Sequence, residues 1–210
     1  MKRKMLFILL LAGFALGVVL VGTPRGRAGD NDDKNDESKI KRGFEIAPVH
    51  LNLKGKNREL VGLGSYIVNA VADCNGCHFA AVSPSSPFAP GGDPYQGEPK
   101  QVDPAAYLGG GNSLFAPSPF TPRNLTPDKT GRPEGGASFE EFRGIMRTGI
   151  DPDQAHLFIG NPYLQIMPWP AFQDMTEKDL RAIYEYLSAI PCIEGDPGLP
   201  EPRPIGTRCH

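Results

Sequence analysis

Long apolar runs are missing from this 210-residue chain, with one exception: Met5 to Val21, interrupted only by Gly13 and Gly17. Lys2, Arg3 and Lys4 precede that run, giving the basic-then-apolar order of an export signal. Gly26-Arg27-Ala28 offers a moderate small-residue cleavage site, while the run approaches the ~20 apolar residues of a bilayer-spanning helix. Residues 1–28 are therefore expected to be either a removed signal peptide or a retained inner-membrane anchor. No cysteine follows the run closely, which excludes a lipoprotein attachment point.

Basic excess is missing too. The formal charge is −2, and residues 1–28 hold five basic and no acidic side chains, which leaves 17 basic against 24 acidic in the remainder. That balance excludes a nucleic-acid binder and favours a protein partner with a basic docking face. No internal repeat runs through the chain, and its length suits one domain. Cysteine is scarce: four residues, of which only Cys74 and Cys77 form a C-x-x-C pair. With no second pair and no H-x-x-x-H, a structural zinc site lacks its ligands.

What is present falls into segments. "GDNDDKNDESKIKRG", residues 29–43, is charged and aperiodic and is predicted to be a flexible linker. "FEIAPVHLNLKGK" reads as a strand or an extended surface arm. From Arg58 to Asp73, Leu60, Val61, Leu63, Tyr66, Ile67, Ala70 and Val71 recur at helical spacing, so one helix is predicted to carry the cysteine pair at its C-terminal end.

From Phe79 to Pro133 the text turns to Pro, Gly, Ser and Asn, where regular structure should be sparse; a loop region of that length has a bound object to wrap around. Helices return at Ser138, whose S-F-E-E pattern with Glu141 makes a capping box, and end near Gly149. A last helix starts from Thr176, with Leu180, Ile183, Tyr184 and Leu187 on one face, and stops before Pro191. "IMPWPAF" lies between these helices, and its two prolines keep it from being helical.

Cys74, Cys77 and His78 together spell C-x-x-C-H, the attachment pattern of c-type haem. Two thiols three residues apart reach the two vinyl groups of a porphyrin, and the adjacent imidazole faces the iron. A thioredoxin-like pair would sit at a helix start in a βαβ setting, which this text lacks. Candidates for the iron's other side are Met146, Met167, Met175, His50, His156 and His210. Met146 reads as core and Met175 as turn; Met167, in the proline-flanked loop, is best placed to present a sulfur, with His156 as runner-up.

The stretches "GSYIVNAVADCNGCH", "NLTPDKTG", "SFEEFRGIMRTG", "IMPWPAF" and "MTEKDLRAIYEYLSAIP" resemble, in that order, class I cytochromes c. Within that family they are most similar to the monohaem modules in cytochrome subunits of membrane-associated bacterial dehydrogenases. The resemblance covers roughly residues 58–191. It implies a mainly α fold around one covalent haem c with long loops, in which the helix before C-x-x-C-H crosses the final helix. It also implies Cys74 and Cys77 as thioether donors, His78 and Met167 as iron ligands, Asn124 and Thr126 in a loop near the haem, and Trp169 near the propionates.

The expected organisation is then a signal or anchor over 1–28, a linker over 29–43, a cytochrome domain over 44–191 and a tail over 192–210. Such a chain would be a periplasmic electron carrier rather than an enzyme, passing single electrons between redox partners such as a dehydrogenase or oxidase. The alternative is a haem enzyme or gas sensor with an open sixth position. In an oxidising compartment Cys192 and Cys209, left over from haem attachment, are predicted to form a disulfide, stabilising by about 3 kcal/mol through loop closure.

Overall fold

The computed structural model describes residues 29–80, 86–112, 121–151, 161–195 and 208–210. The expected signal or anchor and His156 lie outside the described residues. The fold is mainly α, with no strand among the described residues, only three isolated bridges between loops. Among those residues no helix is long and apolar enough to cross a membrane.

Helix α2 (Arg58–Tyr66) starts where the Asn57 side chain accepts hydrogen bonds from the Glu59 and Leu60 amides, satisfying two otherwise orphan donors. Its buried face, Val61 and Leu63, packs on Leu180, Ile183 and Leu187 of α7 (Glu177–Leu187). Gly64 makes the crossing close: a Cβ there would collide with the Ala182 carbonyl. Thr176 caps α7 by accepting from the Asp179 amide. Helix α5 (Phe139–Thr148) has the capping box read from the sequence, with Ser138 and Glu141 bonding each other's backbone, and closes at Gly149 in the left-handed region. Phe142 and Met146 extend from α5 into the core shared by α2 and α7.

Three local readings are corrected. The charged stretch assigned as a linker is helix α1 (Gly29–Ile46). Its C-terminal half docks because Gly43 lets the backbones touch at Gly62, the Ser65 hydroxyl donates to the Gly43 carbonyl at 2.7 Å, and Ile40 and Phe44 pack on the core. Two apolar residues four apart were too few to stand out against the surrounding charge. The following arm is extended but is not a strand. Val49, Leu51 and Leu53 face the core, the residues between them face solvent, and Asn52 donates to Ala189 at 2.8 Å.

The second correction concerns residues 67–78. The helix does not run on to the cysteines: Ile67–Val71 widens into a π turn, with Ala72 N–H bonded to the Ile67 carbonyl. Asp73 then adopts φ +46°, and Cys74–His78 forms a separate short helix, α3. The third is minor: in "IMPWPAF", Trp169–Phe172 makes one helical turn (α6), because Pro170 falls at the helix start where its missing N–H costs nothing. Met167 lies in the bend before it.

Candidate functional site

One cavity gathers the cysteine motif and the three methionines that the sequence singled out. Cys74, Cys77 and His78 form one wall, and Met167, Met146 and Met175 also line it. Between them stand Leu125, Phe142, Ile145, Leu164, Phe172 and Leu187, so most of the surface is hydrocarbon. The structure thus brings all three candidate methionines to one place. Met146 is also buried core, while Met167 comes from the only non-helical segment among them that ends in prolines.

The motif is fixed from behind by the segment 106–112. Asn75 Oδ1 accepts from the Leu108 amide at 2.9 Å, Gly110 N–H donates to the His78 carbonyl at 2.7 Å, and Asn112 Nδ2 donates to the carbonyls of Cys77 and Phe79. These bonds occupy the backbone and leave the three side chains to the cavity. Deeper in, Tyr107 donates to Asn69 Oδ1 at 2.6 Å, Asn69 Nδ2 donates to the Tyr186 hydroxyl, and the two tyrosine hydroxyls stand 2.8 Å apart. The π turn is what aims Asn69 into this triangle, which ties loop, α2 and α7 together.

His78 Nδ1 lies 2.8 Å from the Arg123 carbonyl. A carbonyl only accepts, so Nδ1 carries the proton and Nε2 keeps its lone pair. Burial lowers the imidazole pKa below its ordinary value, and the hydrogen bond to Arg123 opposes this only in part. A neutral imidazole with a free, basic Nε2 is a metal ligand in waiting. This carbonyl was the piece the sequence did not reveal.

Burial acts on the thiols as well. Cys74 is pushed up to about 12 by burial first and then by the Asp73 carboxylate; Cys77, exposed at the cavity rim, is raised by the same two causes. Both changes disfavour the free thiolate that a redox-active pair needs, but do nothing against an uncharged thioether. Among the described residues no group of His, Cys, Asp or Glu is arranged to hold a metal by itself.

One wall is polar. The Arg123 guanidinium, 5% exposed, pairs with Asp151 and lies 3.9 Å from Glu134, which are 2% and 9% exposed. Neither the length of the intervening sequence nor any motif announces this cluster.

Other expected site residues sit elsewhere. Asn124 and Thr126 are fully buried but do not line the cavity; their side chains face the C-terminal tail at Ile193. Trp169 stacks on Tyr163 and donates its indole N–H to the Leu164 carbonyl at 3.1 Å, so that donor is already used beside the cavity rather than in it. His50 and His210 are exposed and outside the cavity wall. The Cys192–Cys209 disulfide is formed, with Cα atoms 5.7 Å apart.

No protein-family model matches the chain, and no solved structure matches it. Two curated proteins do. Over 154 residues, 72% of this chain, it is 27% identical to the gluconate 2-dehydrogenase cytochrome c subunit of Pantoea cypripedii, covering 28% of that protein. Over 132 residues, 62% of this chain, it is 27% identical to the fructose dehydrogenase cytochrome subunit of Gluconobacter japonicus, covering 21% of that protein. The chain spans roughly a quarter of the length of these relatives, and what it shares with them is similarity to a cytochrome c-like module in a mainly helical fold.

Proposed function

We propose that this chain is an exported monohaem c-type cytochrome that carries single electrons, in which Cys74 and Cys77 would be the thioether donors and His78 and Met167 the residues that hold the iron. The observation that carries the reading is the C-x-x-C-H motif on the wall of an apolar cavity, with His78 held neutral and oriented by the Arg123 carbonyl. When bound, a haem would supply an iron centre that changes by one electron without other bond changes.

The chain's own residues account for the rest. Cys74 and Cys77 would hold the group as thioethers, each by adding S–H across one vinyl C=C with no atom lost, and the neutral product suits the half-buried Cys74. Leu125, Phe142, Ile145 and Leu187 give the cavity an apolar lining that would keep water from the group. His78 donates its Nδ1 proton to Arg123, which strengthens Nε2 as a donor. Met167, also on the cavity wall, would offer a soft thioether as the second ligand, which favours the reduced state of an iron centre relative to a second nitrogen ligand. With His78 and Met167 both given to iron, the chain would carry electrons and transform no substrate, and its partners would be redox proteins. The relatives' names point to a dehydrogenase as donor, and the export signal points to the periplasm.

The test is the purified holoprotein. Mass spectrometry should find haem on the peptide bearing Cys74 and Cys77, and the ferric spectrum should show the far-red methionine-sulfur band. Met167→Ala should abolish that band and admit carbon monoxide; Met146→Ala and Met175→Ala should not. Rapid carbon monoxide binding by the unmutated protein would instead establish the enzyme or sensor alternative.

A further inference from the structure

We propose that the disulfide-closed C-terminal tail is a positioning element for His78, acting through Ile193, Asn124 and Thr126; the inference rests on the haem reading above. The acceptor of the His78 proton is the carbonyl of the peptide joining Arg123 to Asn124, so whatever sets the plane of that peptide sets the hydrogen bond. One side of the peptide is packed by Gly110, where a Cβ would collide with Arg123 C and Asn124 N; the same glycine donates to the His78 carbonyl.

The other constraint comes from the tail. Asn124 Oδ1 accepts from the Thr126 amide at 2.9 Å and the Thr126 hydroxyl at 2.7 Å, which orients its Nδ2 to donate to the Ile193 carbonyl at 2.9 Å. Ile193 N–H donates back to Thr126 Oγ1 at 3.0 Å. Both polar side chains are wholly buried, so their bonds to Ile193 have no solvent substitute. The Ile193 side chain reaches Gly109, next to the glycine that packs the Arg123–Asn124 peptide.

Ile193 directly follows Cys192, and the disulfide returns the chain end to the same segment. Cys209 N–H donates to Glu194 Oε2 at 3.0 Å, and the Arg208 carbonyl accepts from Lys129 N–H at 2.8 Å. Opening the bridge frees both ends of this brace. Asn124 then loses its fixed partner, the Arg123 carbonyl tilts from His78, and the imidazole becomes a weaker donor to iron. A weaker donor stabilises the ferric state less, so the ferrous fraction at a fixed solution potential rises.

The experiment uses the folded holoprotein, after mass spectrometry has shown haem on Cys74 and Cys77; its absence there would defeat the haem reading before the brace is tested. The disulfide is reduced with a small dithiol, which becomes oxidised as two thiols form, and these are alkylated. A Cys192→Ser/Cys209→Ser variant and a Thr126→Val variant provide the same perturbation without alkylation. Hydrogen exchange at residues 123–126 and Ile193 should quicken, and the ferrous-to-ferric ratio at fixed potential should rise at least threefold, about 28 mV for a one-electron couple. Unchanged exchange, or faster exchange with an unmoved ratio and only a lower unfolding temperature, would overturn the proposal and leave the bridge as a staple.

Discussion

Replacing Asp151 with Asn tests the buried charge cluster most directly. The Arg123 guanidinium is 5% exposed and Asp151 2% exposed, so the substitution leaves a cation in a low-dielectric wall with its main counter-charge gone. Breaking a buried pair from one side costs about 3–5 kcal/mol. Asn keeps the shape and an acceptor oxygen, and Glu134 stays 3.9 Å away, so the lower end, about 3 kcal/mol, is expected. For a protein of this size that corresponds to a fall of about 6–12 °C in unfolding temperature.

Urea unfolding of the holoprotein, followed by circular dichroism, reads the midpoint at constant m value. A paired Arg123→Met/Asp151→Leu variant removes both charges and should lie within about 1 kcal/mol of the parent, since well-packed apolar residues replace buried ion pairs at little cost. An Asp151→Asn variant within about 0.5 kcal/mol of the parent, or a double variant as damaged as the single one, would refute the reasoning.

Three further outcomes are expected. Gly64→Ala should force α2 and α7 apart and cost about 3 kcal/mol, whereas Gly144→Ala, in open space on α5, should stabilise by about 0.5–1 kcal/mol; thermal melts of the two variants separate packing from propensity. Ser138→Ala removes one half of the α5 capping box and should cost about 1 kcal/mol by the same measurement. In the chain without haem, where Nε2 is not taken by iron, acid should weaken the fold through His78. Its folded pKa lies below the ordinary 6.5, so the unfolded chain binds more protons between the two values, and stability falls as pH drops through that window; urea midpoints at pH 7.5 and pH 5 should differ in that direction, and His78→Phe should flatten the difference.

Several elements were legible because their determinants are local. Ser138 and Glu141, three apart before an apolar stripe, specify the α5 start, and Thr176 does the same for α7. Helix α1 was illegible for the opposite reason: Gly43 and Gly62 reveal themselves only once the two backbones touch, and Ile40 and Phe44 need α2 to bury them. The π turn is equally hidden, since the apolar spacing of residues 60–71 suits a straight helix, and it is the Tyr107–Asn69–Tyr186 triangle that favours a wider one.

The candidate site divides along the same line. By itself the sequence determined the covalent chemistry on offer, because two thiols and an imidazole in C-x-x-C-H act within one turn and need no distant partner to be recognised. It also determined which cysteines remained to pair, as Cys192 and Cys209 do. Tertiary structure alone decided what orients the imidazole, because Arg123 is 45 residues from His78 and contributes a carbonyl that every residue type possesses. It likewise decided that Asn124 and Thr126 turn away from the cavity toward Ile193, a choice made by which buried hydrogen bonds the folded chain could complete.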